Sequence, residues 1–171
     1  MLKKLINEYE FNKAGKIYLE ENNEVNYLID LPEFKSPKGQ VYAWVIRDKV
    51  VYIGMAGKGV DKRHKEHRGG WRGGSKTGVN KAKLLRDSLN NNQMVAIYAR
   101  TSDVLAQQAV KLLGKKTKLD INLNRYEEHE LIRTIVIQSG IALIFINSYH
   151  IKSYLYRKTN ERMVYAKLSI T

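Results

Sequence analysis

Residues 41–67 read VYAWVIRDKVVYIGMAGKGVDKRHKEH. Two short runs, Val41–Ile46 and Val50–Gly54, are β-branched and aromatic, the composition of paired strands. Arg47-Asp48-Lys49 between them is a short hairpin loop. Gly57 and Gly59 then turn the chain into a helix, with Asp61 as its cap or first-turn acid. That helix carries Lys62, Arg63, His64, Lys65, Glu66, His67 and Arg68. Tyrosines on the hairpin followed by arginine and histidine on a basic helix suit the front half of a site for phosphodiester chemistry. Such a site needs a carboxylate and a DNA-facing surface from elsewhere in the chain.

Bulk properties narrow the partners. In 171 residues, 43% are hydrophobic and 27% charged, enough for one domain with its own core. Thirty Lys+Arg against seventeen Asp+Glu give a net charge of +13. A domain this basic points to a polyanion, most often nucleic acid; a solvated basic surface is the plainer alternative. No one amphipathic helix gathers the lysines, which argues against a membrane surface. The chain has no cysteine, so disulfides, thiolate metal sites and cysteine nucleophiles are excluded. No secretory signal and no run of about 20 apolar residues is visible, so a cytoplasmic protein is expected.

Working outward, Leu2, Leu5, Ile6 and Tyr9 fall at helical spacing, and Gly15 interrupts the pattern. Ile17-Tyr18-Leu19 begins a second short element, residues 28–32 are extended up to Pro32, and SPKG at 36–39 is a turn. Residues 1–40 are read as an N-terminal arm. Beyond the opening stretch, RGGWRGGSKTG at 68–78 has five glycines and reads as a loop. A helix over 80–91 turns Leu84, Leu85 and Leu89 inward. A third strand is predicted at 94–99, and a helix at 103–113 that Gly114 ends. Asn124 caps a helix over 125–138 that Ser139-Gly140 stops, ALIFIN at 142–147 is a buried β-prone run, and 150–171 extends the same domain. The fold class is α+β, with the core at 41–149.

Arg63 and His67 are four apart and share one helix face. Arginine binds phosphate bidentately at any working pH, and a histidine one turn on can donate to the same phosphate or to a leaving oxygen. A solvated basic face is the alternative. Glu128 precedes Leu131 and Ile132 by three and four, so it continues the apolar stripe of its own helix. An inward carboxylate is costly without a partner; a divalent ion sharing water and substrate phosphate is one partner, a structural ion pair the other. Tyr42 and Tyr52 are neighbours on the hairpin. Beside Arg63 they could line a cationic site in which a phenol pKa falls from about 10 and the phenolate serves as base or water-positioner; packing is the alternative. Phosphate-loop spacing, HExxH, a zinc set and a nucleophile elbow are all missing.

Taken in order, VYAWV, VVYIG, Arg63 with His67, and Glu128 before Leu-Ile resemble the GIY-YIG nuclease superfamily over about 41–147. Val41-Tyr42 stands where Ile-Tyr is expected and no Gly-Ile precedes the tyrosine, whereas Tyr52-Ile53-Gly54 is intact. The resemblance implies a small three-stranded antiparallel sheet flanked by helices. It implies Tyr42 as general base or base-positioning phenol, Tyr52 touching nucleophile or phosphate, Arg63 stabilising the pentavalent phosphorane with His67 assisting, and Glu128 holding one Mg2+ or Mn2+ per active site. Lys58 or Lys62 would contact the scissile phosphate, and Asn147 is similar to the family's terminal asparagine. The absence of a separate DNA-reading domain makes the chain similar to the small stand-alone Type II restriction enzymes of that superfamily. The basic loop, with Arg68, Trp71, Arg72 and Lys76, then becomes the candidate contact to bases or phosphates of double-stranded DNA. A palindromic site implies a homodimer, with a cognate methyltransferase acting on the same sequence. Homing or repair nucleases, a catalytically silent DNA-binding protein of the same fold, and an RNA-binding module are the competing readings.

Overall fold

The computed structural model describes residues 2–102, 104–106, 110–112, 115–117 and 120–139. The elements run α1 (Leu2–Asn7), β1 (Asn12–Leu19), β2 (Val25–Ile29), a 3-10 turn (Pro32–Lys35), β3 (Gln40–Ile46), β4 (Lys49–Ala56), α2 (Val60–Gly69), α3 (Lys76–Asn90), β5 (Val95–Thr101), four three-residue strands β6 (Val104–Ala106), β7 (Val110–Leu112), β8 (Lys115–Thr117) and β9 (Asp120–Asn122), and α4 (Asn124–Ser139). Among the described residues the main sheet has five strands, not three, in the order β2-β1-β5-β3-β4, and every neighbouring pair is antiparallel. The two extra strands come from the segment read as an arm. β1 pairs with β5 and carries Gly15 in its interior, so residues 12–29 are part of the sheet.

β3 lies between β5 and β4, and all seven of its residues are buried. Its alternation sorts two cores. Tyr42, Trp44 and Ile46 face a cluster with Val60 of α2, Ala82 and Leu85 of α3, Trp71 and Ile97. Val41, Ala43 and Val45 face another with Leu5 of α1, Phe11, Ile53 and Leu131 of α4. The sheet thus carries α2 and α3 on one face and α1 and α4 on the other.

The β3–β4 hairpin turns on two residues rather than three, since Ile46 pairs with Lys49. Arg47 and Asp48 both have positive φ, 48° and 60°, the mirror-image turn that matches strand twist. From Ile46–Lys49 the register would set Tyr52 opposite Ala43. A bulge intervenes: Val45 pairs with Val50 but Trp44 with Tyr52, which leaves Val51 extra. The slip moves Tyr52 to the sheet face that holds Tyr42.

Two other expectations change. Residues 68–78 do not form an open loop: helical backbone runs on past Gly70, the chain kinks at Gly73 (φ 110°), and Ser75 caps α3, its hydroxyl accepting the Gly78 N–H at 3.0 Å. Trp71, 5% exposed, anchors that turn in the core. The helix predicted over 103–113 is replaced at its described positions by β6, which pairs with β9, and β7, which pairs with β8. Residues of alternating character such as Val110-Lys111-Leu112 satisfy strand periodicity as readily as helical spacing. α4 matches the predicted 125–138 helix within a residue at each end. The 142–147 run and the 150–171 extension lie outside the described residues. No helix among the described residues is long and apolar enough to cross a membrane.

Candidate active site

Tyr42 and Tyr52 meet on the α2 face of the sheet, ring centroids 5.8 Å apart. Gly54, paired directly with Tyr42, makes this possible. A Cβ at Gly54 would lie 2.6 Å from the Tyr42 hydroxyl oxygen and 2.8 Å from the Tyr52 ring, so any side chain there would displace both phenols.

α2 is seated by buried polar contacts from β3. Gly59 enters the helix at φ 92°, a conformation glycine adopts without strain. The Gln40 side chain, fully buried, accepts the Val60 N–H at 2.8 Å and donates to the Glu33 carbonyl at 3.0 Å. The Trp44 indole N–H donates to His64 Nε2 at 2.9 Å, and His64 Nδ1 donates to the Val60 carbonyl, also at 2.9 Å. Both ring nitrogens are thereby matched in the neutral form, and burial pushes the His64 pKa down to about 4. His64 is therefore a bolt between helix and sheet.

With α2 fixed, Arg63 and His67 reach the tyrosines. His67 Nε2 lies 2.5 Å from the Tyr42 hydroxyl. Burial, followed by the charges of His64, Lys81 and Arg63, pushes the His67 pKa down to about 2. With His67 neutral, the Tyr42 hydroxyl donates to Nε2 when the ring proton sits on Nδ1 and accepts from Nε2 in the other tautomer. The expected fall in phenol pKa is reversed: burial lifts Tyr42, which is 0% exposed, well above the ordinary phenol value, and lifts Tyr52 too, outweighing the opposing charge of Arg63. For Arg63 itself burial works the other way, but Tyr42, Glu66 and Tyr52 outweigh it and hold the guanidinium charged. One Arg63 terminal nitrogen donates to Glu66 at 2.6 Å, while its Nε is buried without a partner in the free protein.

Glu128 joins from α4, half-buried, with its pKa raised by burial; the Met55 backbone and the charges of Arg63, Arg125 and Lys81 oppose that rise. Lys81 of α3 joins the site although no motif includes it. It is buried, its ammonium 4.2 Å from the Tyr52 ring centroid, and burial followed by repulsion from Arg63 brings its pKa down to about 8. It shares an inward stripe with Gly78, Ala82 and Leu85. The stripe argument that selects Glu128 selects Lys81 as well.

Of the predicted DNA contacts, Lys58, Lys62 and Lys76 are exposed. Arg72 is exposed but paired with Glu24, and Arg68 donates to Asn26 at 3.4 Å. Trp71 is turned inward, its ring stacked 9° from parallel on His67 at 6.0 Å, so it braces the histidine and offers no face to a base. Asn147 lies outside the described residues.

Among the described residues no three His, Asp or Glu side chains gather into a metal cage. Glu128, a carboxylate within electrostatic reach of the Tyr52 phenol, fits a hard divalent cation that keeps most of its ligands as water and phosphate.

No family model and no curated protein matches the chain. Solved structures do. A glutamate-to-alanine mutant of bacteriophage T4 EndoII is 26% identical with a TM-score of 0.62, over 77% of this chain and 92% of that one. Restriction endonuclease HPY188I in complex with product DNA is 19% identical with a TM-score of 0.50, over 81% of each chain. The fold is a nuclease fold.

Proposed function

We propose that this chain is a divalent-metal-dependent DNA endonuclease of GIY-YIG type, acting as a homodimer of the restriction class on double-stranded DNA. The observation that carries the reading is the convergence of Tyr42, Tyr52, Arg63, His67 and Glu128 from β3, β4, α2 and α4 at one place. The likeness to a restriction endonuclease bound to product DNA and the charge of +13 support the substrate class.

In this reading a water is held by the Tyr42 hydroxyl in line with the scissile P–O3′ bond. As its oxygen bonds to phosphorus, its proton passes to Tyr42 while Tyr42 gives its own to His67 Nε2 (Nδ1–H tautomer); the P–O3′ bond breaks with its electron pair on the 3′-oxygen, which takes a proton from solvent water. Burial is the largest cause of the low His67 pKa in the free protein; the phosphate charge offsets the cations that add to it and shifts His67 toward accepting the proton once DNA is bound. Arg63 supplies its charged guanidinium to the phosphoryl oxygens. Glu128 would hold the metal ion, which supplies Lewis-acid stabilisation of the leaving 3′-oxygen. Exposed Lys58, Lys62 and Lys76 supply backbone contacts. The test is plasmid cleavage with Mg2+ or Mn2+ and with chelator, with end sequencing to reveal site specificity.

A further inference from the structure

A cleft of about 380 Å³ opens between the β1–β2 turn, the α2–α3 junction and α3, lined by Asn22, Glu24, Val25, Trp71, Arg72 and Arg86. Trp71 is its buried wall, and the indole N–H has no hydrogen-bond partner among the described residues. A buried donor left unmatched is costly. Arg86 is half-buried and has no hydrogen-bond or ion-pair partner among the described residues. The Asn22 side-chain oxygen accepts the Glu24 N–H at 3.0 Å, which leaves the Asn22 NH2 as its free end. The lining holds one carboxylate, Glu24, and Arg72 pairs with it. That pair is half exposed and worth little, so it can part to admit an oxygen to the indole edge. Two arginines against one glutamate leave a positive charge unbalanced among groups that otherwise donate.

We infer that this cleft is a second phosphate site, in which Arg86, Trp71 and Asn22 hold a non-scissile phosphodiester of bound DNA. The assignment rests on the DNA-binding part of the endonuclease reading. A diester suits the lining because its non-bridging oxygens only accept and it carries a single negative charge. A terminal phosphate near neutral pH carries about 1.5–2, more than the lining balances. The Trp71 ring is also stacked on His67, so the cleft lies one ring away from the Tyr42–His67 pair. A phosphate seated there fixes the register of the strand on the protein.

The experiment measures binding of a short duplex by fluorescence anisotropy across salt concentrations, in chelator so that no metal-dependent cleavage intervenes. It compares wild-type, Arg86→Gln and Lys83→Gln proteins of matching urea midpoints; Lys83 is an exposed cation of the same helix outside the cleft. Arg86→Gln is expected to weaken binding by at least about tenfold and to reduce the slope of log affinity against log salt by about 0.9. Lys83→Gln is expected to weaken it less. The chain has two tryptophans, and the Trp44 indole is already bonded to His64. The Trp71 indole N–H resonance of the wild-type protein is expected to move downfield when duplex is added. Wild-type affinity and slope in Arg86→Gln would overturn the site. So would equal losses in both variants, which would reduce the effect to bulk charge. A Trp71 shift produced by inorganic phosphate and not by duplex would overturn it in favour of a free anion. Failure of the wild-type protein to bind duplex would remove the DNA reading and this site with it. Duplex binding without cleavage in Mg2+ would remove the endonuclease reading and leave the site to be decided by Arg86→Gln.

Discussion

The Tyr42 hydroxyl lies 2.5 Å from His67 Nε2, joining the hairpin to the second turn of α2. If the two groups pass one proton, they act as a unit. Tyr42→Phe and His67→Ala are each expected to lower cleavage by about 10²–10⁴-fold. The double variant should be no worse than about threefold below the poorer single one. Single-turnover rates on a short duplex check this; additive losses would separate the two residues.

Gly54 sits beneath both phenols. Gly54→Ala is expected to lower stability by about 1–3 kcal/mol, the range for overpacking, and to abolish cleavage more completely than that loss explains. Urea unfolding and cleavage measured on the same sample separate the two effects.

His64 predicts a pH dependence of stability. Its pKa is lowered on folding from 6.5 to about 4. Between those values the unfolded chain binds the proton and the native chain does not, so stability is full above pH 6.5 and is lost as pH falls toward 4. The loss is roughly 3 kcal/mol. His64→Gln should flatten this part of the stability profile. Urea midpoints of both proteins from pH 7.5 to 4.5 test it, and parallel profiles would contradict it.

Trp71 and the exposed lysines should behave oppositely. Trp71→Ala removes a buried ring and should cost about 3–5 kcal/mol of stability. Lys58, Lys62 and Lys76 changed together to Gln should leave unfolding within about 0.5 kcal/mol. Each lysine that neutralises a DNA phosphate should, when replaced, reduce the slope of log affinity against log salt by about 0.9. Fluorescence anisotropy across salt concentrations reads the second effect.

Much of the candidate site is legible in the sequence because the residues that form it follow local patterns. The Val41–Gly54 hairpin shows in β-branched and aromatic residues, and the Arg63–His67 pair in helical spacing. Glu128 shows as a carboxylate on an apolar stripe, and Lys81 yields to the same reasoning applied to cations. The five-stranded sheet is not legible, because β1 pairs with β5 across about eighty residues and polar residues such as Asn12, Lys13 and Lys16 dilute its apolar pattern. Trp71 escapes a sequence reading because glycines signal an open loop, whereas here they let two helices join closely. Gly78 packs against the Gly70 backbone, where a Cβ would collide. The direction of the tyrosine pKa shifts depends on burial, which a motif does not record.

The central claim is that Arg63 and Glu128 complete a metal-dependent nuclease site around Tyr42 and Tyr52. The most direct measurement is plasmid cleavage in Mg2+ by wild-type, Arg63→Ala and Glu128→Ala proteins that unfold at comparable urea concentrations. The account predicts double-strand cleavage by wild type, loss with chelator, and at least about a 10³-fold loss in each variant. Cleavage by both variants at the wild-type rate would contradict it.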